Sequence, residues 1–328
     1  MKLRWGIIGL GKIAGHFAHD FIHASSDQNE LVAVASRSLD RARAFAQNHH
    51  ITKYYGTYED LLGDPDVDIL YIATPHNSHK KYTIEALNAG KHVLCEKPMA
   101  VNRAELKEMI DIARKNKVFL MEALWTRWNP VILEVLQLIR SGKLGSIIKA
   151  EADFGFKAHF DPESRLFNPQ LAGGALLDIG IYPLFLSYLL LGEPNSISTK
   201  AEFSTTGVDV ETSVELNYAH NVKFQATCTL LAETDTVARI TCEKAKIVIK
   251  ARWHEAESYQ ITHADGKIEE HSVELQNRGY YEEVKHCHQR IATGNNESDM
   301  WSLRNSLELA EILDQVRAKV GLVYPFEK

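Results

Sequence analysis

The chain has 328 residues, 45% of them hydrophobic and 24% charged, enough to bury sizeable cores and longer than a single core usually extends. Its formal charge of -6 comes from 37 Lys and Arg scattered against 43 Asp and Glu, which leaves no basic field for a nucleic-acid partner. The opening reaches glycine too early for a signal peptide, no apolar run approaches membrane-spanning length, and the four cysteines form no CxxC pair. A cytoplasmic protein with reduced thiols and no membrane partner is expected.

Residues 1–121 alternate apolar β runs with helical patterns. Strands are predicted at 4–8, 31–36, 69–73, 92–95 and 118–121, with helices at 13–22, 40–49, 79–89 and 103–116 between them. This alternation predicts an α/β Rossmann domain, a doubly wound parallel sheet that binds ligands at the carboxyl ends of its strands, where Gly9, Ser36, Thr74 and Glu96 fall. From residue 122 the texture changes. A helix is predicted at 130–141, then strands at 147–156, 196–203, 210–218, 222–230, 237–242, 245–250, 258–263 and 267–273, interrupted by a helix at 174–191 and followed by helices at 280–292 and 302–320. Residues 122–328 therefore read as a second, α+β domain with a large, mostly antiparallel sheet.

Gly9-Leu10-Gly11-Lys12-Ile13-Ala14 follows a strand and precedes a helix, the context in which GxGxxA binds a dinucleotide. Gly9 allows the tight turn, Gly11 lets the backbone approach a pyrophosphate, Ala14 permits close helix–strand packing, and the N–H groups that open the helix face the anion. The second strand ends in Ala35-Ser36-Arg37-Ser38, where a carboxylate for a free ribose 2'-hydroxyl is absent. Ser36 and Ser38 can hydrogen-bond, and Arg37 can pair with a 2'-phosphate or stack on adenine, with Arg41 one turn further on. NADP is favoured, with NAD still possible. Arg37 as a plain surface charge is the alternative. Thr74-Pro75-His76-Asn77-Ser78-His79 closes the next strand and presents backbone groups toward the middle of the cofactor; neither histidine receives a chemical role.

Lys97 lies in Glu96-Lys97-Pro98 at the end of a later strand, where Pro98 bends the chain. Beside a cationic nicotinamide its pKa would fall, and it could donate or accept a proton near neutral pH; taken alone it reads as a surface charge. A second cluster is Gly173-Gly174-Ala175-Leu176-Leu177-Asp178-Ile179-Gly180-Ile181-Tyr182. On a continuous helix Asp178 and Tyr182 share a face, giving a carboxylate for a substrate hydroxyl and a phenol to exchange its proton; a buried amphipathic helix is the plainer reading.

Together the glycine loop, Glu96-Lys97-Pro98 and the Gly173–Tyr182 run resemble the Gfo/Idh/MocA oxidoreductase family over almost the whole chain. Glu122-Ala123-Leu124-Trp125-Thr126-Arg127 and Arg165-Leu166-Phe167 are most similar to its branch of dimeric dihydrodiol and NADP-dependent D-xylose dehydrogenases. The resemblance implies hydride transfer between NADP and a secondary alcohol or hemiacetal of a sugar or diol. It implies that Lys97 is catalytic, with a cis peptide common in its bend, and that Tyr182 is the nearer proton carrier, with Lys97 tuning it. It also implies a homodimer formed through the open face of the second domain's sheet. Many members carry histidine where this chain has Tyr182, which argues against an inositol substrate.

Trp125, Arg127, Phe154, Phe156 and Tyr281 join Asp178 and Tyr182 as candidate substrate contacts, although aromatic residues at such spacings also build cores; Arg165 could approach substrate or cofactor. His286-Cys287-His288 puts two histidines two apart on a helix, the wrong spacing for one metal, so no metal site is assigned. A regulator of the same fold that senses NADP without turnover is the competing reading.

Overall fold

The computed structural model describes residues 2–24, 28–275 and 278–327. They form two compact units, Met1–Trp125 with Asn277–Leu307, and Thr126–Gln276 with Glu308–Lys328. The sequence suggests one cut after residue 121; the compact units divide after Trp125, and the segment 277–307 packs with the first of them.

In the first unit, β1 (Leu3–Ile8), β2 (Asn29–Ala35), β3 (Lys53–Tyr55), β4 (Ile69–Ile72), β5 (His92–Glu96) and β6 (Leu120–Ala123) form a parallel sheet in the order β3-β2-β1-β4-β5-β6. Its central strands are buried almost throughout, because α1 (Lys12–Ala24), α2 (Leu39–Asn48), α3 (Tyr58–Leu62), α4 (His76–Asn88) and α5 (Arg103–Asn116) supply the crossovers that cover a parallel sheet. Side-chain caps set several helix starts: Ser38 accepts from the Arg41 amide, Thr57 from Asp60 and Asn102 from Glu105. Strand β3 and helix α3 lie outside the predicted elements; runs of three and five residues are too short to display a period. Strands β1 and β4 are in register from Trp5↔Ile69 to Ile8↔Ile72. Their outgoing loops therefore start level, at the point where the strand order reverses.

The second unit holds α6 (Pro130–Arg140), α7 (Ile181–Leu191) and an eight-stranded sheet. Its strands are β7 (Ile147–Gly155), β8 (Ser196–Phe203), β9 (Asp209–Asn217), β10 (Lys223–Thr229), β11 (Ala238–Cys242), β12 (Ala245–Ile249), β13 (Ser258–His263) and β14 (Ile268–Ser272). The order is β14-β13-β12-β11-β7-β10-β9-β8, and only β7 and β10 pair in parallel. Alternation is clear in β9, where Val210, Thr212, Val214 and Leu216 are buried and Glu211, Ser213 and Glu215 are not. Helix α7 is apolar all round because it lies in the core on β7 and β10. Two helices remain: α8 (Tyr280–Ala292) packs against α1 in the first unit, and α9 (Leu303–Val320) runs toward the C-terminus.

Two expectations are corrected here. The predicted helix 174–191 is not continuous: Leu176–Gly180 is a π-helical turn, and only Ile181–Leu191 is α-helical. Glycines before and at the end of the turn let distant residues come close to its backbone. A Cβ on Gly180 would lie 2.7 Å from Cys228 Sγ, and one on Gly174, whose φ is +123°, would overlap Asp209 Oδ1. Residues 169–191 are also long and apolar enough to match a membrane span by composition, although most of that stretch is buried inside the unit as a core element.

Candidate active site

Gly9 leaves β1 with φ +90°, and a Cβ there would lie 2.7 Å from the Ala73 carbonyl and 2.8 Å from the Thr74 amide nitrogen. Only glycine lets the two loops approach so closely. Gly11 differs: it has no positive φ, and a Cβ would meet nothing within 4 Å. Neither conformation nor packing within the protein requires glycine at that position. What fits is a group outside the chain brought against the backbone, just before Lys12, Ile13 and the first turn of α1. The Thr74 hydroxyl, buried and without a hydrogen-bond partner among the described residues, lies in the neighbouring loop. A pyrophosphate fits both features.

At the end of β2, Ser36 is buried and its Oγ accepts from the Ser38 amide at 3.3 Å, while Ser38 is spent capping α2. Arg37 is exposed, and Arg41 Nη2 donates to the Leu10 carbonyl inside the glycine loop at 3.3 Å. Both guanidiniums act electrostatically on buried Tyr58, so the strand end carries two cations and no acidic residue in the loop.

The loop after β4 is tied to the bend after β5 by His79. Its Nδ1 lies 2.8 Å from the Pro98 carbonyl and its Nε2 2.8 Å from the Thr74 carbonyl, and burial lowers its pKa. Both ring nitrogens face protein carbonyls, so His79 holds the loops together. Pro75, His76 and Asn77 open α4, where Pro75 provides no side-chain cap. Lys97 is half-buried, its peptide bond to Pro98 is cis, and its ammonium acts electrostatically on His79 and Glu122. Glu122 is buried, with Oε1 accepting from the Met99 amide at 2.9 Å and Oε2 from Trp301 Nε1 at 3.2 Å; burial pushes its pKa up against those donors. Glu96 accepts from Tyr71 Oη and from the Lys97 amide. In the same unit Trp125 is buried against Tyr280, with ring centroids 5.8 Å apart, and Tyr281 is half-buried beneath the Lys285 ammonium.

In the second unit the π turn carries Asp178, whose Oδ1 accepts from Arg165 Nη1 at 2.6 Å. The four-residue spacing from Asp178 to Tyr182 thus runs through that turn instead of one α-helical face. Tyr182 meets Phe154 at 5.5 Å and His254 at 5.2 Å between ring centroids, and Phe154 stacks on His254 at 4.2 Å and 17°. Phe156 follows at 6.5 Å from Phe154. His254 escaped the sequence reading. It sits on an isolated 3-10 turn, Trp253–Glu255, held by Thr126 Oγ1 donating to its carbonyl, and no motif marks it. Arg127 is buried, and desolvation, then Arg140, push its pKa down to about 10.

Among the described residues no group of three or more His, Cys, Asp or Glu is disposed to hold a metal, and His286 Nε2 instead meets Ser298 Oγ at 2.8 Å. All four cysteines are free and buried.

Residues 3–124 match the oxidoreductase family with an NAD-binding Rossmann fold, and residues 132–248 match the GFO/IDH/MocA C-terminal domain. The chain belongs to the Gfo/Idh/MocA oxidoreductase family. Trans-1,2-dihydrobenzene-1,2-diol dehydrogenase from Mus musculus is 37% identical over 338 residues, covering 100% of both chains, and the Homo sapiens protein of that name is 36% identical over 335 residues, again covering 100% of each. A 3-ketoreductase from Actinomadura kijaniata, solved in complex with TDP-benzene and NADP, superposes with a TM-score of 0.85 at 25% identity over 98% of each chain. As a member of this family the chain is an NAD(P)-dependent dehydrogenase or reductase acting on CH–OH groups, with a Rossmann unit for the dinucleotide.

Proposed function

We propose that this oxidoreductase uses NADP(H), which when bound supplies or accepts the hydride, to interconvert a secondary alcohol and carbonyl of a sugar or diol, with Lys97 and Tyr182 handling the proton. The observation that carries the cofactor choice is the end of β2, where Ser36-Arg37-Ser38 holds no carboxylate, Arg37 and Arg41 supply two guanidiniums, and the nearest acid, Asp40, lies in the first turn of α2 and pairs with Arg43. A guanidinium pairs with a 2'-phosphate, whereas a 2'-hydroxyl is ordinarily held by an acid at that place. Full-length identity to diol dehydrogenases supports the substrate class.

In this reading the backbone of Gly9 to Ile13 and the Thr74–Asn77 loop hold the dinucleotide, and Glu96 fixes the strand end that bears Lys97. Tyr182 Oη gives or takes the proton of the substrate hydroxyl, Lys97 Nζ supplies the supporting positive charge, and Asp178 orients the substrate. A positioned proton carrier contributes roughly 10²- to 10⁴-fold in rate, and correct placement of the reactants roughly 7 to 11 kcal/mol of barrier. The aromatic surface of Phe154 beside Tyr182 suits the apolar face of a sugar ring or a cyclic diol. A homodimer formed through the open, polar face of the eight-stranded sheet completes the proposal, and light scattering on the purified protein tests it. The function itself is tested by NADPH oxidation and NADP reduction across a panel of aldoses, ketoses, dicarbonyls and trans-diols. Turnover on a diol or sugar is expected; tight NADP binding without turnover on any of them would make the chain a sensor.

A further inference from the structure

Two of the buried carboxyls in the unit that carries Lys97 have opposite surroundings. Glu96 ends β5 at 5% exposure, and both its oxygens accept: Oε1 from Tyr71 Oη, Oε2 from the Lys97 amide at 3.2 Å. Glu283, in the first turn of α8, is 0% exposed, and neither of its oxygens has a hydrogen-bond partner among the described residues. Tyr280, three residues before Glu283 on α8, meets Phe17 edge-on at 6.0 Å, and Phe17 stacks on Tyr71, whose hydroxyl donates to Glu96; the titratable groups that act electrostatically with Glu283 are Glu96 of β5, Tyr71 of β4 and Cys287 one turn along α8. Helix α1, packed against α8, brings Phe17, stacked on Tyr71 at 3.7 Å; its Asp20 accepts from the Arg278 amide, and its His16 lies 3.1 Å from Arg278 Nη1. Two ionised carboxyls in one dry region disfavour each other, and donors decide which of them keeps the charge. Glu96 receives the Tyr71 hydroxyl and the Lys97 amide, and Glu283 receives no donor among the described residues.

We propose that Glu96 and Glu283 hold a single proton between them, that it resides on Glu283, and that the neutral Glu283 preserves Glu96 as the carboxylate anchoring Tyr71 and the Lys97 backbone. Glu283 thus touches neither Lys97 nor substrate; its neutrality, which glutamine shares, sets the charge state of Glu96. Burial, then the Glu96 charge, push the Glu283 carboxyl far above its ordinary range, in agreement with the hydrogen-bond pattern. No net proton is consumed: the pair keeps its proton through the reaction. Sequence offers no sign of this, since Glu283 stands beside Glu282 in an ordinary first turn with a free choice of faces.

The test is infrared difference spectroscopy of the intact enzyme against Glu283→Gln, in H₂O and D₂O. A protonated-carboxyl stretch that persists from about pH 5 to pH 9 is expected in the wild type and should vanish in the variant. Because glutamine is neutral and of the same shape, Glu283→Gln should keep NADP(H) affinity and leave the acid limb of the kcat/KM profile in place, whereas Glu96→Gln should lower turnover. Should Glu283→Gln fold poorly, Glu283→Met serves the same spectroscopic comparison. A wild-type-minus-Glu283→Gln difference spectrum without the band, or an acid limb shifted in Glu283→Gln, would overturn the proposal; the buried carboxyls Glu122 and Asp209, common to both proteins, cancel in that difference. The spectroscopic arm needs no turnover; only the effect on Lys97 rests on the proposed reaction, so absence of turnover on every substrate counts against that reaction and leaves the shared proton standing.

Discussion

Arg165 Nη1 donates to Asp178 Oδ1 across 2.6 Å, with the arginine side chain 59% exposed and the aspartate only 10%. An ion pair with one partner so exposed is worth at most about 1 kcal/mol in stability, so its value lies in orienting the carboxylate. Asp178→Asn should therefore leave the thermal midpoint nearly unchanged while lowering kcat/KM roughly 10- to 100-fold, the cost of a lost charged hydrogen bond to substrate. Unchanged kcat/KM would remove Asp178 from the reaction.

Tyr182→Phe retains the ring that packs on Phe154 and His254 and removes only the hydroxyl. Turnover should fall by about 10²- to 10⁴-fold with NADPH affinity intact. Equal losses in turnover and affinity would indicate a structural role instead.

The two phosphate-loop glycines should separate cleanly. Gly11→Ala adds a methyl where nothing lies within 4 Å, so stability should hold to within ~0.5 kcal/mol while NADP(H) binding weakens by a factor of ~10 or more. Gly9→Ala instead places a methyl 2.7 Å from the Ala73 carbonyl at positive φ, and should destabilise the fold itself by roughly 1 to 3 kcal/mol. Calorimetry with and without NADPH distinguishes the two outcomes.

Arg37→Ala should weaken NADPH by about 10- to 100-fold, the worth of a charge-assisted hydrogen bond, and leave NADH nearly unaffected. Equal loss for both cofactors, measured by fluorescence titration, would refute the 2'-phosphate assignment.

Asp209 predicts a pH dependence of stability. It is fully buried, accepts from the Leu176 amide and Thr212 Oγ1 through Oδ2, and burial raises its pKa from 3.8 to about 6. Between those values the folded chain binds more protons than the unfolded one, so this group costs stability as pH rises through the window, by at most about 3 kcal/mol. Asp209→Asn keeps an acceptor and cannot ionise. The urea midpoint of wild type relative to Asp209→Asn should fall from pH 4 to pH 7, as expected for a group with a raised pKa; a flat difference would show that Asp209 does not titrate there.

Much of this protein is local and therefore readable along the chain. Turn chemistry at Gly9 and Gly11 and the periodicity of 103–116, 196–203, 258–263 and 280–292 involve neighbours a few residues apart, and the observed elements Arg103–Asn116, Ser196–Phe203, Ser258–His263 and Tyr280–Ala292 have those bounds. The Rossmann unit, the large mostly antiparallel sheet and the oxidoreductase family follow from such patterns taken in order. Other features depend on partners that periodicity cannot name. At Leu176–Gly180 the glycines Gly174 and Gly180 leave room for Asp209 and Cys228 from distant strands, His254 reaches Phe154 and Tyr182 from a separate turn, and α8, packed on α1, carries Glu283 into the field of Glu96. A sequence displays which residues can do chemistry. Which of them are desolvated, and which receive hydrogen-bond donors, is decided only when distant segments close on one another, because burial and donor placement are properties of the packed neighbourhood.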